Sequence, residues 1–176
     1  QETAEPLDEV RDKIAIFMRP IAAAALAQVK IEQGDLEGAE RLLAEVFEIA
    51  DFDTMCGHWA VFPHVASVYL LLAMDDPVAA QEKANFVIGR LCQAGIRLQL
   101  AESLWLKGKA LMALGNLGQA KEALLEARAL SEQTNGRQIL WQILATLAEV
   151  EDRLRAARDE ARTERDASPA EREEAR

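Results

Sequence analysis

Apolar positions along the chain recur with the period of an α-helix. The segments "QGDLEGAERLL" (33–43) and "LGNLGQAKEALL" (114–125) share one pattern, in which a short polar turn leads into an amphipathic helix. Spacings of four and then three place the apolar residues on one side of that helix. The predicted buried positions are Ala39, Leu43 and Val46, then Ala80, Ala84 and Val87, then Ala120, Leu124 and Ala127. The stretch before each turn is apolar nearly all round, which predicts a helix covered on most sides.

Turn residues divide the chain into units of similar length. Asp35, Asp76 and Asn116 lie 41 and 40 residues apart and are predicted to cap the helices that follow them. Gly34 and Gly115 suit the left-handed conformation that ends a helix. Further glycines precede each next helix: Gly57, Gly95 and Gly136. The predicted unit is helix A, tight turn, helix B and loop, with helices of roughly 15–18 residues.

This unit resembles the tetratricopeptide repeat, whose helix pairs meet at a turn of the form G-[DN]-[YL]-x-x-A. The turns at 34–39 and 115–120 match that form, Ala27 and Gly108 match the small helix-A position, and Leu26 matches the large one. The middle unit departs from it, with Asp75 at the turn glycine and Val68 at the small position. The long period is similar to that of the MalT-like arrays in large bacterial multi-domain regulators, ATPases and cyclases. The resemblance implies an all-α fold, a right-handed superhelical α-solenoid of antiparallel helix pairs.

The chain is expected to divide into three parts. Residues 1–16 are interpreted as the remnant of a preceding helix, and residues 17–153 as the repeat array (17–53, 58–93, 97–134 and a partial repeat at 137–153). Residues 154–176 are highly charged and predict a solvated helical or frayed tail, in which "SPAE" at 168–171 encodes a further helix start. Because the chain does not begin with Met, we expect a fragment of a longer protein.

Charge and composition exclude several classes of partner. The net charge is −10 and no block of the chain is basic, so we expect neither nucleic acid nor an anionic membrane as a partner. No apolar run approaches the roughly 18 residues that a membrane helix needs. The two cysteines, Cys56 and Cys92, form neither a disulfide framework nor a CxxC site, which favours a cytoplasmic location.

Candidate chemistry is confined to "CGHWAVFPH" (56–64). Cys56, His58 and His64 are possible zinc ligands, but the histidines are six residues apart and one helix face would not present both well. A cysteine nucleophile would also need an orienting group and an oxyanion site, and neither is evident nearby. The chain has no phosphate-binding loop and no HExxH motif. We therefore expect no catalytic activity, no metal and no cofactor.

The resemblance also implies a binding groove. In such arrays the A helices line the concave side. When the family's groove positions are transferred to this sequence, they fall on Gln28, Ile31, Val65, Tyr69, Leu72, Trp105, Lys109, Met112 and Gln142, with Glu32 and Glu149 beside them. Aromatic anchors, apolar side chains and a few polar groups suit a peptide. Trp105 and Met112 are equally well interpreted as core between repeats. Lys109 either pairs with a carboxylate of the partner or extends along the surface to reach solvent.

These features and the resemblance predict a non-catalytic protein–protein interaction scaffold. The resemblance further implies that it is part of a larger bacterial signalling or transcription-regulatory protein. Its partner would be a peptide, a protein or another domain of its own chain. One alternative is an effector-sensing module that binds a small molecule in the groove. Another is an architectural spacer that forms homo-oligomers through exposed repeat ends.

Overall fold

The predicted all-α class is confirmed by a computed structural model of the chain. The structure describes residues 4–49 and 60–166, with side chains at 18–49, 60–97 and 99–166. Within these residues it contains helices and no strand. The helices are α1 (Ala4–Glu32), α2 (Leu36–Phe47), α3 (Val61–Ala73), α4 (Pro77–Ala94), α5 (Leu98–Ala113), α6 (Leu117–Gln133) and α7 (Arg137–Asp166).

Three tight turns join α1 to α2, α3 to α4 and α5 to α6. Gly34 and Gly115 adopt φ angles of 81° and 77°, which confirms the predicted left-handed conformation. Asp75 takes the same place in the middle turn with φ 58°, although its Cβ makes that conformation less favourable. After each of these residues, the next backbone N–H donates to the carbonyl five residues earlier at 2.9 Å; the three donors belong to Asp35, Asp76 and Asn116. The middle unit therefore has the same turn as its neighbours without the glycine.

Side-chain caps are present at two of the three predicted positions. Asp35 accepts from the N–H of Gly38 at 2.9 Å, and Asp76 accepts from the N–H of Ala79 at 3.0 Å. The predicted side-chain cap at Asn116 is wrong, because that side chain makes no capping hydrogen bond. Nothing in the structure explains the difference. The backbone of Asn116 nevertheless starts α6, since its carbonyl accepts from the N–H of Ala120 at 2.9 Å.

The first and last helices are longer than the sequence pattern predicts. Residues 4–16, interpreted above as a separate remnant, are continuous with the rest of α1, which runs for 29 residues and includes Pro20. The last helix, α7, runs for 30 residues and passes the predicted end of the array at 153. Ion pairs one turn apart accompany this extension, with Arg153 and Glu149 at 2.6 Å and Arg155 and Asp152 at 2.8 Å. The predicted helix start at 168–171 lies outside the described residues.

The predicted apolar faces of α2, α4 and α6 are buried. All nine predicted positions on these helices are at most 3% exposed. The largest cluster of buried side chains extends over α3 to α7, and a smaller one joins α1 and α2 to α3. Each helix packs against the next, and the odd-numbered helices also contact one another in order, α1 with α3, α3 with α5 and α5 with α7. The odd-numbered helices therefore form a continuous layer.

A close approach of α5 and α6 depends on the small residue Gly108. A Cβ built at this position would lie 2.7 Å from Cγ of Leu124, a fully buried side chain. Gly108 matches the small helix-A position of the repeat pattern, and its lack of a side chain lets the two helices meet. No helix in the described part of the chain has both the length and the apolar character needed to cross a bilayer.

Candidate functional site

A row of aromatic and polar side chains crosses the odd-numbered helices α3, α5 and α7. We call it the central strip and define it as Tyr69, Glu102, Trp105, Lys109 and Thr146. The phenol of Tyr69 donates to Oε1 of Glu102 at 2.7 Å, and Nε1 of Trp105 donates to the hydroxyl of Thr146 at 2.8 Å. The rings of Tyr69 and Trp105 are 6.0 Å apart, and Nζ of Lys109 lies 4.9 Å from the centroid of the Trp105 ring. The strip therefore links three helices through side-chain contacts.

Helical spacing brings these residues together. Glu102, Trp105 and Lys109 follow one another at intervals of three and four on α5, so they share one face. Thr146 lies 41 residues after Trp105, which is one repeat period, on the face of α7 that meets α5. The strip is thus a direct consequence of stacking equivalent helices side by side.

Burial shapes the protonation of the Tyr69–Glu102 pair. Burial raises the pKa of the Glu102 carboxyl, and the hydrogen bond donated by Tyr69 opposes that shift. The pKa of Tyr69 is also raised, first by burial and then by the negative charge of Glu102. The phenol therefore keeps its proton and donates it to an oxygen of Glu102. Glu32, at the end of α1, adds to the upward shift of the Tyr69 pKa.

Lys109 places a partly desolvated cation at the other end of the strip. Burial lowers the pKa of its ammonium group, and the charge of Glu149 opposes that shift. Glu149 also accepts from Nη2 of Arg153 at 2.6 Å, so Lys109 does not have this carboxylate to itself. A half-buried ammonium group over the face of an indole ring is well placed to receive an anionic group from a partner.

The remaining predicted groove residues differ in how much surface they offer. Val65 is buried in the large core cluster, so it does not present a binding surface. Four others are partly buried. Leu72 and Met112 pack against the large core cluster, Ile31 packs against the smaller one, and Gln28 lies on α1. Gln142, also partly buried, lies on the strip face of α7, and its carbonyl accepts from the hydroxyl of Thr146 at 2.8 Å.

Trp105 combines both sequence interpretations. It is 6% exposed and belongs to the large core cluster, as the interpretation as inter-repeat core requires. Its indole also contacts Tyr69 and Lys109, and its N–H is bonded to α7. Trp105 is therefore a buried support of the strip.

Two strip residues were not among the predicted groove positions. Thr146 was detectable in principle, because it stands one repeat period after Trp105. Glu102 carried no such signal: its contact with Tyr69 depends on how α3 packs against α5. An acidic residue on an amphipathic helix is usually solvated, and sequence spacing alone does not separate this one from the others.

A cavity of about 440 Å³ adjoins the strip at the N-terminal ends of α5 and α7. Its walls include Phe62, Gln99, Glu102, Asn135 and Arg137. Glu102 therefore belongs both to the strip and to the cavity. The carboxamide oxygen of Gln99 is buried and has no hydrogen-bond partner in the described part of the chain.

The predicted zinc or nucleophile candidates are described only in part. Cys56 and His58 lie outside the described residues. His64 is buried and packs against two aromatic rings, with centroid distances of 4.9 Å to Phe47 and 5.0 Å to Phe86. Among the residues that the structure describes, no group of three His, Cys, Asp or Glu side chains is arranged to hold a metal ion.

No family model matches the chain, and a search of curated proteins found no match. The resemblance to tetratricopeptide repeats therefore depends on the motif residues named above. The chemistry of the site depends on the contacts of the central strip and its adjoining cavity.

Proposed function

We propose that this protein is a non-catalytic interaction scaffold that binds a peptide or an extended protein segment across the central strip. The observation that carries the proposal is the convergence of Tyr69, Trp105 and Lys109 with Glu102 on three adjoining helices. The partly buried Tyr69 supplies aromatic contact area, Trp105 supports it from the core, and the charged groups orient a partner. The strip thus offers anchoring and orienting groups in one place.

The proposal includes the architecture. The helix pairs form a right-handed superhelix of the tetratricopeptide type, and the odd-numbered helices line its concave side. Three observations support this arrangement: the shared hydrogen bond of the three turns, the close approach at Gly108 and the continuous layer of odd-numbered helices. In a larger regulatory protein, such a concave layer would present the strip to a partner or to another domain of the same chain.

The test begins with a displayed library of random peptides selected on the folded chain. Dissociation constants of the selected peptides are then measured by calorimetry for the wild type and for Lys109→Gln. In Lys109→Gln a carboxylate of the peptide loses the ammonium group that would face it. We therefore expect this variant to bind about tenfold more weakly, equivalent to about 1.4 kcal/mol of binding free energy.

Lys107→Gln is the matched control, because Lys107 is also partly buried on α5 but lies outside the strip. It should leave the dissociation constant unchanged. Equal losses for Lys107→Gln and Lys109→Gln would mean that overall charge drives binding. Alanine at Trp105 is unsuitable as a binding variant, because truncating a buried Trp costs about 3–5 kcal/mol of stability.

A further inference from the structure

We propose that the cavity beside the central strip is a recognition pocket for the guanidinium group of an arginine side chain. This inference deepens the proposed function and rests on it, because the arginine would belong to the bound segment. Two side chains that carry oxygen acceptors, Gln99 and Glu102, line the cavity and lie one helical turn apart on α5.

The first acceptor is the carboxamide oxygen of Gln99. This oxygen is buried and has no hydrogen-bond partner among the residues that the structure describes. A buried acceptor without a donor is unfavourable, and protein interiors rarely leave one in that state. Turning the carboxamide toward the cavity breaks no hydrogen bond of its oxygen and lets that atom accept from a ligand N–H.

The second acceptor is the carboxylate of Glu102. One of its oxygens accepts from the phenol of Tyr69, but a carboxylate has acceptor sites for several further donors. Burial raises the pKa of this carboxyl, so its ionised form lacks the stabilisation that solvent would give. A cation in the cavity would supply that stabilisation.

The shape of the pocket favours arginine over lysine. A guanidinium group carries five N–H donors in a rigid plane, so it can bridge an amide oxygen and a carboxylate on neighbouring turns. The aromatic ring of Phe62 forms another part of the wall, and guanidinium groups stack well on such rings. An ammonium group is a compact point charge and would use these surfaces less fully.

One cation already lies at the cavity. Arg137 is exposed, and its Nε donates to Oδ1 of Asn135 at 3.3 Å, which directs this group toward the turn before α7. Its presence makes an anionic ligand the main competitor to the proposal. The net charge of −10 on the whole chain attracts cations to the molecule.

The test uses the ligand N-acetyl-arginine N-methylamide in an NMR titration of the intact chain. We expect saturable shifts at the side-chain amide of Gln99 and the backbone amide of Gly136. The citrulline analogue has almost the same shape without the charge and should bind at least tenfold more weakly. Glu102→Gln should weaken the arginine probe to a similar extent, whereas Glu126→Gln, which removes an exposed acid from α6, should not.

Three results would overturn the pocket. These are equal binding of the arginine and citrulline probes, preferential binding of N-acetyl-glutamate N-methylamide, and the absence of saturable shifts in the wild type. If Glu102→Gln does not fold, the contrast between the probes on the wild type still decides the matter.

Failure of this inference is distinguishable from failure of the proposed function. If selected peptides bind through Lys109 but show no preference for arginine, and the arginine probe causes no saturable shifts, only the inference of an arginine pocket is wrong. If no peptide binds while the arginine probe saturates at Gln99, the proposed scaffold function is wrong and the pocket stands.

Discussion

At the scale of single residues, the hydrogen bond between Tyr69 and Glu102 is the feature on which the site most depends. It joins α3 to α5 by a phenol and a partly buried carboxylate that are 2.7 Å apart. Burial makes the charged form of Glu102 costly, and the phenol offsets part of that cost. Burying the pair therefore lowers the stability of the folded protein somewhat, but it fixes the position of an acceptor at the edge of the cavity.

We expect Tyr69→Phe to lower the free energy of unfolding at neutral pH by about 1.5 kcal/mol, because a charged acceptor loses its donor. The pKa of Glu102 should rise further in this variant. A raised folded-state pKa means that the cost is present above that pKa and disappears as the pH falls through it. The loss should therefore shrink as the pH falls through the raised folded-state pKa and be smallest below the ordinary Glu value of 4.5.

Urea denaturation at neutral pH and again below pH 4.5 measures this loss of stability. NMR titration of the side-chain carboxyl group reports the pKa of Glu102. The double variant Tyr69→Phe/Glu102→Gln closes a mutant cycle that isolates the pair. A penalty for Tyr69→Phe that is unchanged when Glu102 is Gln would show that the phenol acts through packing alone.

At the scale of helices, the sequence allowed the turns and the buried faces to be predicted because these depend on neighbours in the chain. The left-handed turns at Gly34 and Gly115 and the buried face of α6 follow from local spacing. The Tyr69–Glu102 contact was not predictable in this way, because residues 33 positions apart meet only once α3 packs against α5. The tail after residue 153 was predicted as either helical or frayed, because its charged residues have no apolar period that marks where α7 ends.

The contact between α5 and α6 at Gly108 gives a prediction on helix packing. Gly108→Ala adds a methyl group 2.7 Å from Cγ of the fully buried Leu124. Overpacking costs about 1–3 kcal/mol, which outweighs the gain of about 1 kcal/mol in helix propensity. Subtracting the gain leaves a net loss of about 0–2 kcal/mol, and we expect a value near the middle of that range, about 1 kcal/mol, by urea denaturation.

Gly89→Ala is the matched control for this prediction. Gly89 also lies within a helix, and outside its own stretch of helix no described atom lies within 4 Å of the added Cβ. It should gain about 0.5–1 kcal/mol from helix propensity alone. Stabilisation by both substitutions would show that α5 and α6 separate easily at Gly108.

At the scale of the whole molecule, the core is distributed along a row of helices. The large cluster extends over α3 to α7, whereas α1 and α2 pack through a smaller cluster that reaches only as far as α3. In such a row, stability depends mainly on each helix pair and its immediate neighbours. The free energy of local opening should therefore differ along the chain, with α1 and α2 opening more easily than α5 and α6.

Leu43→Ala tests this distribution of stability. Leu43 is 3% exposed in the smaller cluster, and truncating a buried Leu costs about 2–5 kcal/mol. Because α2 contacts α1 and α3 but has no extensive contact with α5 or α6, hydrogen exchange should become faster in α1 and α2 while α5 and α6 keep their protection. Leu124→Ala removes the same groups from the large cluster and should instead accelerate exchange in α5, α6 and α7. If Leu43→Ala accelerated hydrogen exchange equally in α2 and α6, the helices would open as one cooperative unit. A partner bound on the central strip would then stabilise α1 and α2 as strongly as the helices that it touches.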